Sequence, residues 1–285
     1  MRFEVWDVFT ERAFGGNPLA VVWDEGLSDR AQRDLAREFG FSETTFVTDL
    51  GPEGTAVRIL TPTEELPFAG HPLIGTACAL AHDGMATPMT LRIGIGPVAA
   101  EAVAAHGTGH ASFVAARPLE RIETVDTALV ADCLSLPDAA LMPGCPRVSL
   151  GTPFVLARLA DPMQLDAARP DGSAFERLAE AYPSDLRPAI YLWTRDGATV
   201  RARMLGCTDH PYEDPATGSA AATLAAWIVE DGGPAELVVR QGEAMGRPSR
   251  IETSVRLEGE RAATVRVGGA AIKVMEGRIA GGAIR

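Results

Sequence analysis

The sequence predicts an α+β protein of two lobes with one topology, each a curved β-sheet wrapped around a central α-helix. Three observations carry this expectation: an internal repeat, a series of short β-branched runs, and two helical segments with almost no side-chain bulk. The length of 285 residues suits about two domains of roughly 150 residues each.

The repeat organises the rest. Gly70 and Gly218 each open an apolar, small-residue run that ends at Asp-Gly (Asp83-Gly84, then Asp231-Gly232), with a constant offset of 148 residues. Beyond each Asp-Gly a strand-like run, T-L-R-I-G or E-L-V-V-R-Q-G, places Gly94 and Gly242 at the same offset. Upstream the spacing shrinks but the order persists. Gly16-Asn17-Pro18 is echoed by Gly151-Thr152-Pro153, and A-Q-R-D-L-A-R-E-F (31–39) by A-F-E-R-L-A-E-A-Y (174–182). The lobes are expected at 1–118 and 119–277, with a last strand, 278–285, completing the first.

Taken in order, V-W-D-V-F and L-A-V-V-W read as strands joined across a G-x-P turn. A helix follows, with Leu35, Ala36 and Phe39 on one face and Ser28-Asp29 as its start signal. F-V-T-D-L and A-V-R-I-L are short and β-branched, so they read as strands. The helix after Gly70 carries Pro72 in its first turn, where a missing N–H costs nothing. Its Gly75, Thr76, Ala77, Cys78 and Ala79 leave it slim, and a helix without a polar face is one enclosed on all sides.

Charge excludes some partners. The formal net charge of -12 argues against nucleic acid and against an anionic membrane surface, since both need a basic footprint. Lys273 is the only lysine. No run of 18 or more apolar residues occurs, and Met1 to Asp7 enters a strand-like pattern with no charged-then-apolar leader, so a cytoplasmic protein is expected. Cys78, Cys133, Cys145 and Cys207 are widely spaced without a C-x-x-C pair, which predicts free, buried thiols.

The tips of the two slim helices point to chemistry. A helix start leaves backbone N–H groups without partners and carries partial positive charge, which suits a carboxylate. Gly70-His71 and Gly218-Ser219 both admit a ligand close to the backbone, and on the repeat the two tips are expected to meet in one cleft. The competing reading of each motif is a well-capped helix, with Asp214 or Ser219 satisfying backbone donors. Glu43, in S-E-T-T-F-V between Phe41 and Phe46, is the candidate acid–base group, because apolar surroundings disfavour a charged carboxylate. His71 and Asp214 stand at the tips as its complement. His82, His106, His110 and His210 read as structural, although His210 is close in sequence to Asp214.

Other constellations fail. G-I-G-P-V-A (94–99) fits a dinucleotide fingerprint by letter, but Pro97 and the lack of a following βαβ unit make it a turn. No phosphate-cradling G-x-x-x-x-G-K-[ST] and no G-x-S-x-G elbow is present. H-G-T-G-H (106–110) is too glycine-rich for a helix and lacks a third ligand, so no metal is expected.

The ordered set F-G-G-N-P-L-A-V-V, S-E-T-T-F-V, T-P-T-E-E-L-P-F-A-G-H-P, E-D-P-A-T-G-S-A-A and Q-G-E-A-M-G-R-P-S-R-I resembles the phenazine-biosynthesis PhzF-like isomerase family, of the diaminopimelate epimerase-like fold. The resemblance runs from the first strand to at least residue 276. It implies two pseudo-symmetric lobes, each a barrel-like mixed β-sheet around a central helix, with the site between them. It implies Glu43 as the proton-shuttling acid/base, with His71 and Asp214 as its polar partners. Gly70, Gly218 and Ser219 would hold the substrate carboxylate, and Asn17 would line the cleft. Such enzymes use no cofactor and are commonly homodimers. The superfamily's racemases place a cysteine at each tip; here the tips read Gly70-His71-Pro72 and Ala216-Thr217-Gly218-Ser219. Two departures stand beside the expected cleft. Pro72-Leu73 replaces the usual Ala-Thr, and C-T-D-H-P-Y (207–212) replaces a short glycine-containing stretch. Both bear on which substrate is taken.

The sequence therefore leads to a cofactor-independent isomerase that moves a proton on a small carboxylate-bearing molecule. A non-catalytic small-acid sensor with the same cleft is the alternative, and thiol-based racemisation ranks below both.

Overall fold

The computed structural model describes residues 1–51, 53–184 and 186–280. In chain order, β1 (Arg2–Val8), β2 (Asn17–Trp23), α1 (Asp29–Phe39), β3 (Glu43–Gly51), β4 (Gly54–Leu60), β5 (Glu65–Leu66), α2 (Gly70–His82), β6 (Met89–Ile93), β7 (Gly96–Ala105) and β8 (Thr108–Ala115) come first. They are followed by β9 (Glu120–Val125), α3 (Thr127–Cys133), β10 (Cys145–Ser149), β11 (Pro153–Arg158), α4 (Gly172–Ala181), β12 (Ala189–Asp196) and β13 (Thr199–Cys207). The chain ends with β14 (Pro211–Asp214), α5 (Gly218–Glu230), β15 (Glu236–Gln241), β16 (Ser249–Glu258) and β17 (Arg261–Arg278).

The chain forms two compact units, Met1–Val114 completed from Val267 onward, and Ala115–Arg266. The sequence places the boundary at 118/119 and the return at 278. The return comes earlier because β17 is one long strand whose residues from Val267 belong with the first unit. Of the expected last strand at 278–285, residues 281–285 lie outside the described residues.

In the first unit β1 is antiparallel to β2, β2 parallel to β3, β3 antiparallel to β4, and β4 parallel to β6. Then β6, β7 and β8 succeed one another antiparallel, β8 pairs with β17 and β17 with β1, so the sheet closes into a barrel. The two parallel steps need crossovers, and α1 and α2 supply them. The second unit repeats the plan. β9, β10 and β11 are antiparallel, β11 runs parallel to β12 across α4, β13 runs parallel to β15 across α5, and β15, β16 and β17 follow. The fold is α+β and mixed in strand direction.

Local chemistry explains the elements. Ser28 caps α1, its Oγ accepting from the Ala31 amide at 3.3 Å, and Gly40 ends the helix at φ 65°. His106 and Gly107, at φ 53° and 76°, make the tight β7–β8 turn in the one conformation that matches the strand twist. G-I-G-P is likewise a turn, joining β6 to β7.

The slim helices are enclosed. Every residue of α2 from Gly70 to Leu80 is buried, and the helix packs on β1, β2, β3 and β7. In α5 ten residues are buried against β11, β15 and β16. Gly75 shows why bulk is excluded: a Cβ there would lie 2.5 Å from Leu19 Cδ2 and 2.8 Å from Val8 Cγ2, both on fully buried side chains. Gly75→Ala is therefore expected to cost about 1–3 kcal/mol through overpacking, against a gain in helix propensity of about 1 kcal/mol. Urea denaturation of the two proteins measures the balance, and a net gain in stability would contradict it.

Gly94 and Gly242, at the constant offset, both lie against a proline, and Gly242 also lies against the Arg247 carbonyl, which a Cβ there would meet as well. A Cβ on Gly94 would meet Pro67 Cα at 2.6 Å, and one on Gly242 would meet Pro215 O at 2.6 Å. Pro67 and Pro215 each stand three residues ahead of the central helix, so in both units this turn presses against the segment that delivers the helix tip. Among the described residues no helix is long and apolar enough to cross a membrane.

Candidate active site

The first unit holds Asn17, Glu43, Gly70 and His71. Side chains alternate along β3, so Glu43 and Thr45 share one face and Phe46 takes the other. The Thr45 hydroxyl meets that of Thr76 on α2 at 2.9 Å, which fixes this face of β3 against the central helix. Glu43 follows the same face, and its Oε2 lies 3.5 Å from His71 Nε2. Phe46 instead packs with Val22, Leu35, Ala36 and Leu60, while Phe41 stacks on Phe39 with ring centroids 6.1 Å apart. The expected aromatic flank is thus corrected: it is the burial of Glu43 itself, 15% exposed, that takes the carboxylate out of water.

His71 is 4% exposed, and burial lowers its pKa from 6.5 to about 3. The ring is neutral at neutral pH and carries a single N–H. Asn17, fully buried, donates from Nδ2 to His71 Nδ1 at 3.3 Å, while Ser42 Oγ donates to Asn17 Oδ1 at 3.3 Å. With Nδ1 accepting, the proton sits on Nε2 and faces the Glu43 carboxylate. Asn17, expected to line a cleft, is in contact with His71 Nδ1.

The second unit holds Asp214, Gly218 and Ser219. Asp214 ends β14, whose pairing with β13 sets Asp214 opposite Met204. Thr217 Oγ1 donates to Asp214 Oδ2 at 2.5 Å, and Gln241 Nε2 donates to the Asp214 carbonyl at 2.8 Å. Tyr191, fully buried, donates to Gln241 Oε1 at 2.9 Å, and burial together with the Asp214 charge raises its pKa, so it stays a neutral donor. Thr217 and Gln241 received no role from the sequence, although both stand in motifs quoted above. The constant offset of Gly242 and the Q-G-E-A-M-G-R-P-S-R-I motif both mark the neighbourhood of Gln241.

Neither central helix has a side-chain cap. Ala69 precedes α2 and Thr217 precedes α5, and neither makes a side-chain hydrogen bond to its helix. Asp214 receives a hydrogen bond from Thr217 Oγ1. Gly70 and Gly218 are buried, and Ser219 is half-buried.

All four cysteines are free and buried. Burial pushes the Cys78 thiol up to about 12, which leaves too little thiolate at neutral pH for proton abstraction. Of the departures near the site, Pro72 and Leu73 are buried within α2, whereas residues 208–212 are exposed. His210 is among the exposed ones.

Known proteins share this architecture. The family model described as phenazine biosynthesis-like protein matches residues 6–277. The chain is 36% identical to an uncharacterised isomerase of Mesorhizobium japonicum, covering 96% of this chain and 97% of that protein. It is 33% identical to the trans-2,3-dihydro-3-hydroxyanthranilate isomerase of Pseudomonas aeruginosa, covering 97% and 98%. Among solved structures, a predicted epimerase from Pseudomonas aeruginosa superposes with a TM-score of 0.83 at 31% identity, covering 98% of each chain. A probable proline racemase from Agrobacterium radiobacter, at 13% identity and a TM-score of 0.62, shares the fold alone. With matching motifs, a matched family model and full-length relatives, the chain belongs to the PhzC-PhzF, phenazine biosynthesis-like family of isomerases.

Proposed function

We propose that the protein is a cofactor-independent isomerase that moves a proton on a small carboxylate-bearing substrate by general acid–base catalysis. The observation that carries the reading is Glu43, a nearly buried carboxylate 3.5 Å from the Nε2 of a buried, neutral histidine. A carboxylate shielded from water beside a neutral imidazole is suited to general acid–base work. In this proposal Glu43 takes a proton from a substrate carbon and returns it at another position or face. His71 steadies the carboxylate through its N–H while Glu43 is charged. Asp214 serves as the second polar partner, and Asn17 keeps His71 in its tautomer. Gly70, Gly218 and Ser219 present the uncapped starts of α2 and α5 to the substrate carboxylate.

The substrate class follows from the relatives. The Pseudomonas aeruginosa relative is named for a hydroxylated dihydroanthranilate, a small ring acid. A small carboxylic acid with an acidified C–H is proposed for this chain too, with the exposed 208–212 segment free to differ between substrates. A cytoplasmic homodimer completes the proposal.

The test is deuterium uptake. The protein, treated with a chelator, is incubated in deuterated water with trans-2,3-dihydro-3-hydroxyanthranilate and a panel of small carboxylic and amino acids, and carbon-bound deuterium is read by NMR. Catalysed uptake on one acid is expected without added cofactor. Thermal stabilisation by an acid that shows no exchange would instead establish the sensor reading.

A further inference from the structure

We infer that Thr217, oriented by Gln241, is the positioning residue for the Asp214 carboxylate. The inference rests on Asp214 being an acid–base partner, as proposed above. Gln241 is 1% exposed and uses its whole hydrogen-bonding capacity. Its Oε1 accepts from Tyr191 Oη at 2.9 Å and from the Thr217 amide at 3.3 Å. Its Nε2 donates to the Asp214 carbonyl at 2.8 Å and to Thr217 Oγ1 at 3.0 Å.

Two of these partners are backbone groups with fixed roles, since an amide N–H only donates and a carbonyl only accepts. They lock the carboxamide in one orientation, because a flip would place N–H against N–H and O against O. With Gln241 Nε2 donating into Thr217 Oγ1, the hydroxyl proton has one direction left among these contacts. It goes to Asp214 Oδ2, 2.5 Å away, as a charge-assisted bond. The orientation of the carboxylate is thereby linked to a buried amide on β15. The arrangement parallels the first unit, where the buried Asn17 amide sets the proton on His71.

The role differs from a purely structural one, because removing the Thr217 hydroxyl leaves the bonds from Gln241 to the backbone in place. Crystal structures of Thr217→Val and Thr217→Ser are the direct test. The Asp214 carboxylate is expected to rotate or split between conformers in the valine variant and to keep its place in the serine variant. In the deuterium-uptake assay with trans-2,3-dihydro-3-hydroxyanthranilate, Thr217→Val is expected to lower kcat about 10- to 100-fold, the scale of a small misplacement of a reacting group, with KM little changed. Thr217→Ser should recover most of the loss. In an Asp214→Asn background Thr217→Val should cost nothing further, since its effect passes through that carboxylate. An unmoved, single-conformer Asp214 in Thr217→Val, or the same loss in both backgrounds, would overturn the inference. Should Asp214→Asn alone keep the parental rate, the acid–base reading of Asp214 falls, while the crystallographic comparison still decides whether Thr217 holds the carboxylate.

Discussion

Glu43→Gln is expected to slow hydrogen exchange between substrate and solvent about 10²- to 10⁴-fold, the usual contribution of a positioned general base. The amide is close to the carboxylate in shape. What the variant loses is the ability to hold a proton taken from carbon. Affinity for the substrate carboxylate should change little, because the helix tips proposed to receive it are backbone groups of other segments. Binding measured by thermal shift and exchange measured by NMR therefore separate: the first persists and the second collapses. Exchange at the parental rate in this variant would remove Glu43 from the mechanism. The same measurement in Glu43→Asp, which shortens the side chain by one methylene, should give an intermediate rate, since the base remains but stands farther from its target.

Acid should unfold the protein through His71. Its pKa is about 3 in the folded state against 6.5 for the free side chain, so the unfolded chain binds the proton more readily. Between those values the unfolded state holds more protons, and stability rises with pH across the window and is lost as pH falls through it. The slope from this residue approaches about 1.4 kcal/mol per pH unit at its steepest. His71→Gln is expected to start less stable at neutral pH, having lost the packed ring, and to show a flatter dependence between about pH 6 and 4. Carboxylates elsewhere titrate in both proteins, so the difference between the two urea-denaturation series isolates the histidine. Parallel curves would contradict a neutral, buried ring.

Much of this was legible in the chain because local pattern and long-range repeat agreed. The start signal at Ser28, the β-branched runs and the bulk-free segments after Gly70 and Gly218 each state their structure within a few residues. Glu43, His71 and Asp214 lie in short motifs, which is why the sequence alone nominates them as candidates. Other features depend on pairings that no local pattern reveals. Phe46 is three residues from Glu43, yet strand alternation sends it to the opposite face, against α1. Gln241 meets Asp214 and Thr217 across more than twenty residues, and only the parallel pairing of β13 with β15 brings them together. The return at Val267 falls inside an unbroken strand, where composition changes nothing.

The two turns at Gly94 and Gly242 bear on how such a scaffold acquires new specificity. Each wedges directly against a proline three residues ahead of a central helix, so a single methyl group at either turn would displace the segment proposed to carry the site while touching no ligand. Laboratory evolution toward another acid should find these two positions closed to change. The exposed residues 208–210 between β13 and β14 offer a place where diversity can be introduced with less disturbance.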